Sequence, residues 1–282
     1  MTDRDHSCFL ANIGNSTIEV GKMVGADTNG VPILENVLRT SSNEDLRPCL
    51  DRWRASQMAA DGGGTAGSWT RGKWIVASVN SDGWQRLEKW LSKEKVAKRW
   101  LLSHGDFELE IDVDHPETIG KDRLAAAKAA SVRRRLNSPA IIVDSGTAIT
   151  VDFLDQQGRF QGGAILPGLG LASAALAWGT DQLPKVELDD RLDLPPFVGK
   201  NTRLAIRAGV FWGAVGAIDK IIDGIRGESR KAVELFVTGG GAKRLADQLS
   251  PSACLRPNLV LEGIGLSAPA NLARVSRHSP SE

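Results

Sequence analysis

The chain has 282 residues, of which 41% are hydrophobic and 24% are charged, and its formal net charge is +1. This length suits one large domain or two ordinary ones, and the composition is that of a globular protein. A charge so close to zero offers no strong field to nucleic acid or to an anionic membrane, and no stretch reaches the about 20 apolar residues of a membrane span. The polar start is unlike a signal peptide, and three scattered cysteines fit a reduced, cytoplasmic protein.

The first half of the chain predicts several strands and then alternating helices and strands. The glycine-rich stretch at 61–68 lacks the Gly-Lys-Ser/Thr of a phosphate loop, so we expect a flexible connection there. The predicted elements are strands at 9–13, 17–23 and 33–38, a helix at 44–58, a strand at 74–79, a helix at 83–93, a strand at 100–103 and a helix at 124–136.

The second half repeats this pattern, because it also opens with strands joined by tight turns. The predicted elements are a hairpin over 141–152, a strand at 160–167, a helix at 170–176, a polar loop at 189–196, a helix at 201–225, a strand at 233–238, a helix at 242–249, a strand at 259–261 and a disordered tail at 274–282. The alternation predicts an α/β protein with mixed sheets and two domains, at 1–136 and 137–282.

Each half contains a turn built around glycine. In the stronger one, Asp144, Ser145, Gly146 and Thr147 join two strands, and Gly146 allows a bend where a Cβ would clash. Such a turn presents N–H groups, hydroxyls and a carboxylate together, which suits a phosphate or a cation beside one. A weaker copy contains Asn12, Gly14, Asn15 and Ser16. Two such turns predict two related halves that share a cleft for a ligand.

Two further clusters carry chemistry-bearing residues. Gly120, Lys121, Asp122 and Arg123 precede an alanine-rich helix, and Thr238, Gly239, Gly240 and Gly241 follow a buried strand and precede a helix, where anions are favoured. Each cluster has a purely structural interpretation as well. The glycines can simply form a turn, Asp122 can interact with the helix dipole, and Asp144 can cap its own turn.

The order of these clusters resembles one family, the type III pantothenate kinases of the actin-like ATPase and sugar-kinase superfamily. The resemblance runs over residues 9–266 and is most specific at 144–152 and 162–168. It implies two related ribonuclease-H-like domains with an interdomain cleft. Further matching segments lie at 116–123, 183–186, 201–209, 238–241 and 259–263.

The resemblance implies a role for each cluster in the ATP-dependent phosphorylation of pantothenate, the first step of coenzyme A biosynthesis. Asp122 would be the general base, and Arg123 would bind the pantothenate carboxylate in bidentate fashion, with Gly120 and Thr202 in the same pocket. Asp144 would hold a monovalent cation, K⁺ or NH₄⁺. The residues implied for Mg²⁺–ATP are Asn12, Gly14, Asn15, Ser16, Gly146, Thr147, Thr238, Gly239 and Gly240. The family also implies a homodimer.

Two positions depart from the family pattern. The family begins the first turn with an aspartate that helps to place Mg²⁺–ATP, where this chain has Asn12, and it often has a lysine where this chain has Glu19. An amide cannot balance the charge of Mg²⁺ as a carboxylate does, and the loop offers no compensating acidic residue. Three hypotheses therefore stay open: an active pantothenate kinase, an inactive or weakened regulator that binds pantothenate or a nucleotide, and a kinase acting on another small acid or a sugar.

Overall fold

The computed structural model describes residues 7–42, 44–60, 71–188, 193–229, 231–249 and 253–269. The predicted flexible connection at 61–68 and the predicted tail at 274–282 lie outside these residues. The chain divides into two compact units. The first comprises 1–109, 115–133 and 258–282, and the second comprises 110–114 and 134–257.

The first unit contains a five-stranded mixed sheet in the order β3-β2-β1-β4-β5. Three antiparallel strands form a meander, and β4 and β5 extend the sheet in parallel from β1. The strands are β1 (Cys8–Ile13), β2 (Thr17–Ala26), β3 (Pro32–Ser41), β4 (Lys73–Ser78) and β5 (Lys98–Leu101).

The second unit contains a five-stranded sheet in the order β10-β9-β6-β7-β8, with the same pattern of antiparallel and parallel pairs. Each strand therefore has a counterpart in the first sheet, which confirms the predicted α/β fold with mixed sheets in two related halves. The strands are β6 (Ala140–Ser145), β7 (Ala148–Leu154), β8 (Phe160–Pro167), β9 (Glu234–Thr238) and β10 (Cys254–Leu255).

Two of the described helices begin after an asparagine whose side chain satisfies a free N–H group. Asn80 caps α2 by accepting a hydrogen bond from the Gly83 N–H at 2.9 Å, and Asn201 caps α5 by accepting one from the Leu204 N–H at 2.9 Å. The helices are α1 (Leu46–Ala60), α2 (Ser81–Lys93), α3 (Lys121–Arg133), α4 (Leu169–Trp178), α5 (Thr202–Glu228), α6 (Ala242–Ala246) and α7 (Leu259–Leu266).

Each unit has its own hydrophobic core. In the first, Trp74 is fully buried on β4 and lies 5.1 Å from Phe9 and 6.0 Å from Trp90 between ring centroids. Trp53 of α1 completes this aromatic cluster in edge-to-face geometry, which aromatic pairs favour. In the second, Phe211 of α5 is fully buried in a cluster of aliphatic side chains from β6, β7 and β9.

The segment at 259–261 corrects one of the predictions, because it begins helix α7 rather than forming a strand. The helix lies with the first unit: a Cβ added at Gly263 would overlap the backbone oxygen of Ala125 on α3, and one added at Gly265 would lie 2.8 Å from Leu10 on β1. The two units consequently differ from the predicted consecutive domains at 1–136 and 137–282, since α7 returns to the first sheet.

The described part of the chain contains no helix that is both long enough and apolar enough to cross a membrane.

Candidate functional site

The first glycine turn, residues 12–16, joins β1 to β2. The N–H of Gly14 donates to the Thr17 carbonyl at 2.9 Å and closes the turn. Ser42, which follows β3, supports it from the side: its hydroxyl donates to the Asn15 carbonyl at 2.6 Å and its N–H to the Ser16 carbonyl at 2.9 Å. Among the described residues, the N–H groups of Asn15 and Ser16 meet no acceptor, so both can serve an anion.

The second glycine turn, residues 144–147, joins β6 to β7 in the equivalent place of the second sheet. The Gly146 N–H donates to the Ala148 carbonyl at 3.0 Å, and the Gly168 N–H donates to the Thr147 carbonyl at 3.1 Å. Gly146 and Thr147 are exposed, whereas Asp144 is half-buried. The turn is therefore fixed by its own backbone and presents its outer side to solvent.

Thr238 and the glycines after it lie directly beside Asp144. Thr238 pairs with Asp144 between the parallel strands β9 and β6, and its side chain is buried. Gly239 has φ +94°, and a Cβ there would overlap the Asp144 carboxylate. The Gly241 N–H then donates to the Ser145 carbonyl at 3.1 Å. The structure thus brings together Asp144, the second glycine turn and residues 238–241 within one unit.

The cluster at 120–123 starts helix α3, which begins at Lys121 rather than at the predicted Leu124. The His104 ring lies with Nε2 2.8 Å from the Ile119 carbonyl oxygen and so holds the segment that leads into the helix. A Cβ at Gly120 would lie 2.5 Å from Asp122 Oδ1, so glycine is required for the carboxylate to take this position. The Arg123 N–H donates to the same oxygen at 2.9 Å.

Asp122 has a perturbed acidity. Burial raises the pKa of its carboxyl above the ordinary aspartate value, although the N–H groups of residues 122 and 123 and the charge of Arg123 oppose the rise. Part of the structural interpretation also holds, because the carboxylate accepts a hydrogen bond in the first turn of its own helix. A half-buried carboxylate with a raised pKa is a stronger proton acceptor than an exposed one when it is ionised.

The first glycine turn and the cluster at 120–123 lie at the same end of the first sheet. Val79, which follows β4, donates its N–H to the Ile13 carbonyl at 3.0 Å, and a Cβ at Gly120 would lie 3.6 Å from Val79 Cγ1. Ile13 and Gly120 are therefore both neighbours of Val79, and the first glycine turn and the start of the cluster at 120–123 lie close together within the first unit.

Thr202 lies in the second unit, where it is the exposed first residue of α5. Next to it is an open cavity of about 610 Å³ whose walls carry three cations that the sequence analysis did not assign to a site. These cations, Lys185, Arg203 and Arg207, lie in the segments 183–186 and 201–209, whose resemblance to the family was the available indication in the sequence. The lining residues are Lys185, Val186, Glu187, Asn201, Arg203, Leu204 and Arg207.

Comparison with known proteins decides the family. A family model described as type III pantothenate kinase matches residues 8–224. The chain is a member of this family. A type III pantothenate kinase from Rhodopirellula baltica is 42% identical over 196 residues, which are 67% of this chain and 69% of the relative. One from Chlorobaculum tepidum is 37% identical over 171 residues, 59% of this chain and 62% of the relative.

The fold of this pantothenate kinase family member also matches that of a more distant kinase. The crystal structure of a candidate 2-dehydro-3-deoxygalactonokinase from Sinorhizobium meliloti superposes with a TM-score of 0.50 at 10% identity, covering 92% of this chain and 97% of that one. At this identity the likeness concerns the fold alone. It agrees with the expected actin-like ATPase and sugar-kinase architecture, in which two sheets share one topology.

Proposed function

We propose that this protein transfers the terminal phosphoryl group of ATP to the primary hydroxyl of pantothenate and forms 4′-phosphopantothenate. The observation that carries the proposal is the pair Asp122 and Arg123 on the first turn of α3, beside the first glycine turn, in a member of this family. Phosphoryl transfer depends mainly on positioning and charge neutralisation, so one modest base near the acceptor hydroxyl is sufficient.

Asp122 accepts the proton of the attacking hydroxyl in this proposal. Its raised pKa strengthens it as a base, and Gly120 gives the carboxylate its position. Arg123 binds the carboxylate of pantothenate, since a guanidinium offers two parallel N–H donors to such a group. Thr202 lines the pantothenate pocket, for which the family pattern is the support.

The two glycine turns bind the phosphates of ATP. The support is their equivalent position in the two sheets and the N–H groups of Asn15 and Ser16. Thr238, Gly239 and Gly240 contact the nucleoside side, where the lack of side chains at the glycines lets a flat base approach the backbone.

Magnesium that enters with ATP fits the chemistry of the first turn. The side-chain oxygen of Asn12 is buried and accepts no hydrogen bond within the described residues, and the Glu19 carboxylate lies beside the nitrogen of the same amide. Mg²⁺ usually takes one or two protein oxygens together with phosphates and water. Bound there, it would neutralise charge on the phosphates. Asp144 supplies the oxygen donor for a monovalent cation, K⁺ or NH₄⁺.

The protein acts as a homodimer in this proposal. The second unit exposes several large apolar side chains, among them Trp178 at 92%, Phe197 at 77% and Val198 at 78%. Phe197 is ordered by stacking on Trp212, with centroids 4.2 Å apart. Exposed apolar residues such as the neighbours Phe197 and Val198 are typical of association surfaces. The expected location is the cytoplasm.

A panel of acceptors tests the substrate. Release of ADP is measured with pantothenate, small hydroxy acids and hexoses under the same Mg²⁺–ATP and K⁺ conditions. We expect ADP release with pantothenate. Turnover with a hexose or another acid, and none with pantothenate, would reassign the substrate within the same fold.

Asn12 and Glu19 favour a second candidate function, a regulator that binds the ligands without turnover. Ligand binding raises the melting temperature of a protein whether or not catalysis follows. Stabilisation by pantothenate or ATP without ADP release would identify the regulator, whereas measurable product excludes it.

A further inference from the structure

The two positions at which the chain departs from the family pattern are direct neighbours. Asn12 on β1 and Glu19 on β2 form a cross-strand pair in the antiparallel register. The Asn12 side-chain nitrogen Nδ2 donates to Glu19 Oε2 at 3.4 Å. The acidic residue that is missing from the loop sequence is thus present on the adjacent strand, opposite the amide.

Glu19 is itself held in place from the third strand. Arg39 Nε donates to Glu19 Oε1 at 2.7 Å, and the Glu19 side chain is 15% exposed. Arg39 Nη2 donates in turn to Asn258 Oδ1 at 2.8 Å. The carboxylate therefore has one oxygen for Arg39 and the other for Asn12, and it has little freedom to turn away.

A carboxylate fixes which way the Asn12 amide points. An ionised carboxylate only accepts hydrogen bonds, so the amide must turn its NH₂ group toward Glu19 and its oxygen away from it. That oxygen, Oδ1, is buried and accepts no hydrogen bond from the described residues. A buried acceptor without a donor costs free energy unless a ligand or water satisfies it.

We propose that Glu19, braced by Arg39, is a positioning residue that orients Asn12 Oδ1 toward the Mg²⁺–nucleotide complex. The inference rests on the proposed binding of ATP at the first glycine turn. An aspartate presents an oxygen in either orientation of its side chain, whereas an asparagine does so in one of two. Glu19 selects that orientation, and so a neutral amide supplies the oxygen at this position.

Calorimetric titration of the protein with ATP, once with Mg²⁺ present and once with EDTA, tests this inference. The ratio of the two affinities is the gain due to Mg²⁺, and measuring it does not require turnover. Glu19→Lys places a donor opposite the amide and turns Oδ1 toward β2. We expect this variant to lose about tenfold of the Mg²⁺-dependent gain, which corresponds to about 1.4 kcal/mol. Glu19→Gln keeps an oxygen that can accept from Asn12 and should retain most of the gain.

The double variant Asn12→Asp/Glu19→Lys separates positioning from general damage. The new aspartate presents an oxygen in either orientation, and the new lysine lies opposite it. We therefore expect this variant to recover the Mg²⁺-dependent gain in ATP affinity. Asn12→Asp alone sets two carboxylates opposite each other and should bind Mg²⁺–ATP less well than the double variant. Glu35→Lys, an exposed charge reversal on β3 of the same sheet, is the matched control and should bind like the parent.

Two results would overturn the inference. Either Glu19→Lys shows the same Mg²⁺-dependent gain in ATP affinity as the parent, or the double variant shows as small a gain as Glu19→Lys. Melting curves show whether Glu19→Lys is folded, and Glu19→Ala replaces it otherwise. A parent that binds no Mg²⁺–ATP would contradict both this inference and the proposed function. A parent that binds it with the predicted coupling but leaves pantothenate unchanged would contradict the proposed function alone.

Discussion

Asp122 is the residue on which the proposed chemistry depends. Its carboxyl is partly removed from water, which raises the pKa, yet it accepts an N–H hydrogen bond that stabilises the ionised form. The balance leaves a carboxyl whose pKa lies above that of an exposed aspartate, and its ionised form is the stronger base. Glycine at position 120 leaves the space that this carboxylate occupies, so a larger residue there would displace it.

Asp122→Asn should abolish pantothenate phosphorylation with little effect on folding. The amide can still accept the hydrogen bond from the Arg123 N–H, but it cannot take the proton of the hydroxyl. Loss of a general base typically lowers the rate by about 10²–10⁴-fold. Product formation and melting temperature are compared with the parent, and an unchanged rate would remove Asp122 from its assigned role.

The pH profile of kcat/KM should report the raised pKa of Asp122. A carboxyl whose pKa is raised stays protonated to a higher pH than an ordinary aspartic acid, and the protonated form cannot act as a base. The rate should therefore fall on the acidic side at a pH above the range of an exposed aspartate. By linkage, the ionised form is the less favourable one in the folded state, so the stability due to this group is present below its unfolded pKa and is lost as pH rises through its raised folded pKa. Asp122→Asn should remove that dependence.

At the residue scale, contacts within one motif were easier to predict than contacts between strands. Gly120 and Asp122 belong to one contiguous motif, so the sequence indicated that they lie together, and their functional roles stay predictions. The pairing of Asn12 with Glu19 could not be predicted, since it depends on the register across the first turn, and one residue of slip would move Glu19 to the other face. Lys185 and Arg203 meet at one cavity for the same reason: folding joins segments that are distant in sequence.

Packing between helices α3 and α7 governs the first unit. Helix α3 has a buried face of small residues, and Gly263 of α7 meets the backbone of Ala125 there. Arg133 of α3 donates to Glu262 of α7 at 2.6 Å, which adds a largely buried ion pair. Because α3 also carries Asp122 and Arg123, this packing fixes the position of the proposed base.

Gly263→Ala should destabilise the protein, because the added methyl group overlaps the Ala125 carbonyl and the two helices must move apart. Overpacking of this kind typically costs about 1–3 kcal/mol. Gly224→Ala in α5 is the matched control: no atom lies within 4 Å of the new Cβ, and alanine should stabilise the helix by up to about 1 kcal/mol. Urea denaturation measures both, and equal stabilities of the two variants would contradict the packing account.

At the element scale, hairpins were easier to predict than the last helix. Alternating patterns joined by a glycine turn identified β1–β2 and β6–β7. The run at 259–261 is too short for its periodicity to distinguish a strand from a buried helix, and two glycines lower its intrinsic helix propensity. Packing decides the outcome, since Gly263 allows the contact with α3.

At the scale of the whole molecule, the described residues form two sheets of the same topology, each with a glycine turn at the equivalent place. The sequence predicted this relationship from the two turns. It did not predict that residues 258–269 lie with the first unit, because that depends on contacts between distant segments.

Phe197→Asp should shift the protein from dimer to monomer. A charge at this exposed, stacked ring would oppose burial of the apolar surface around it. Light scattering coupled to size-exclusion chromatography measures the mass of the parent and the variant. Leu136→Asp, a change at an 89% exposed side chain elsewhere in the second unit, should leave the mass unchanged. A monomeric parent would contradict the proposed assembly.

The most direct test of the central claim is mass-spectrometric detection of 4′-phosphopantothenate after incubation of the purified protein with pantothenate, Mg²⁺–ATP and K⁺. We expect product that requires ATP and that is absent with Asp122→Asn. Absence of product from the parent and from Asn12→Asp/Glu19→Lys alike, with both proteins folded, would contradict the claim that this member of the family is a pantothenate kinase.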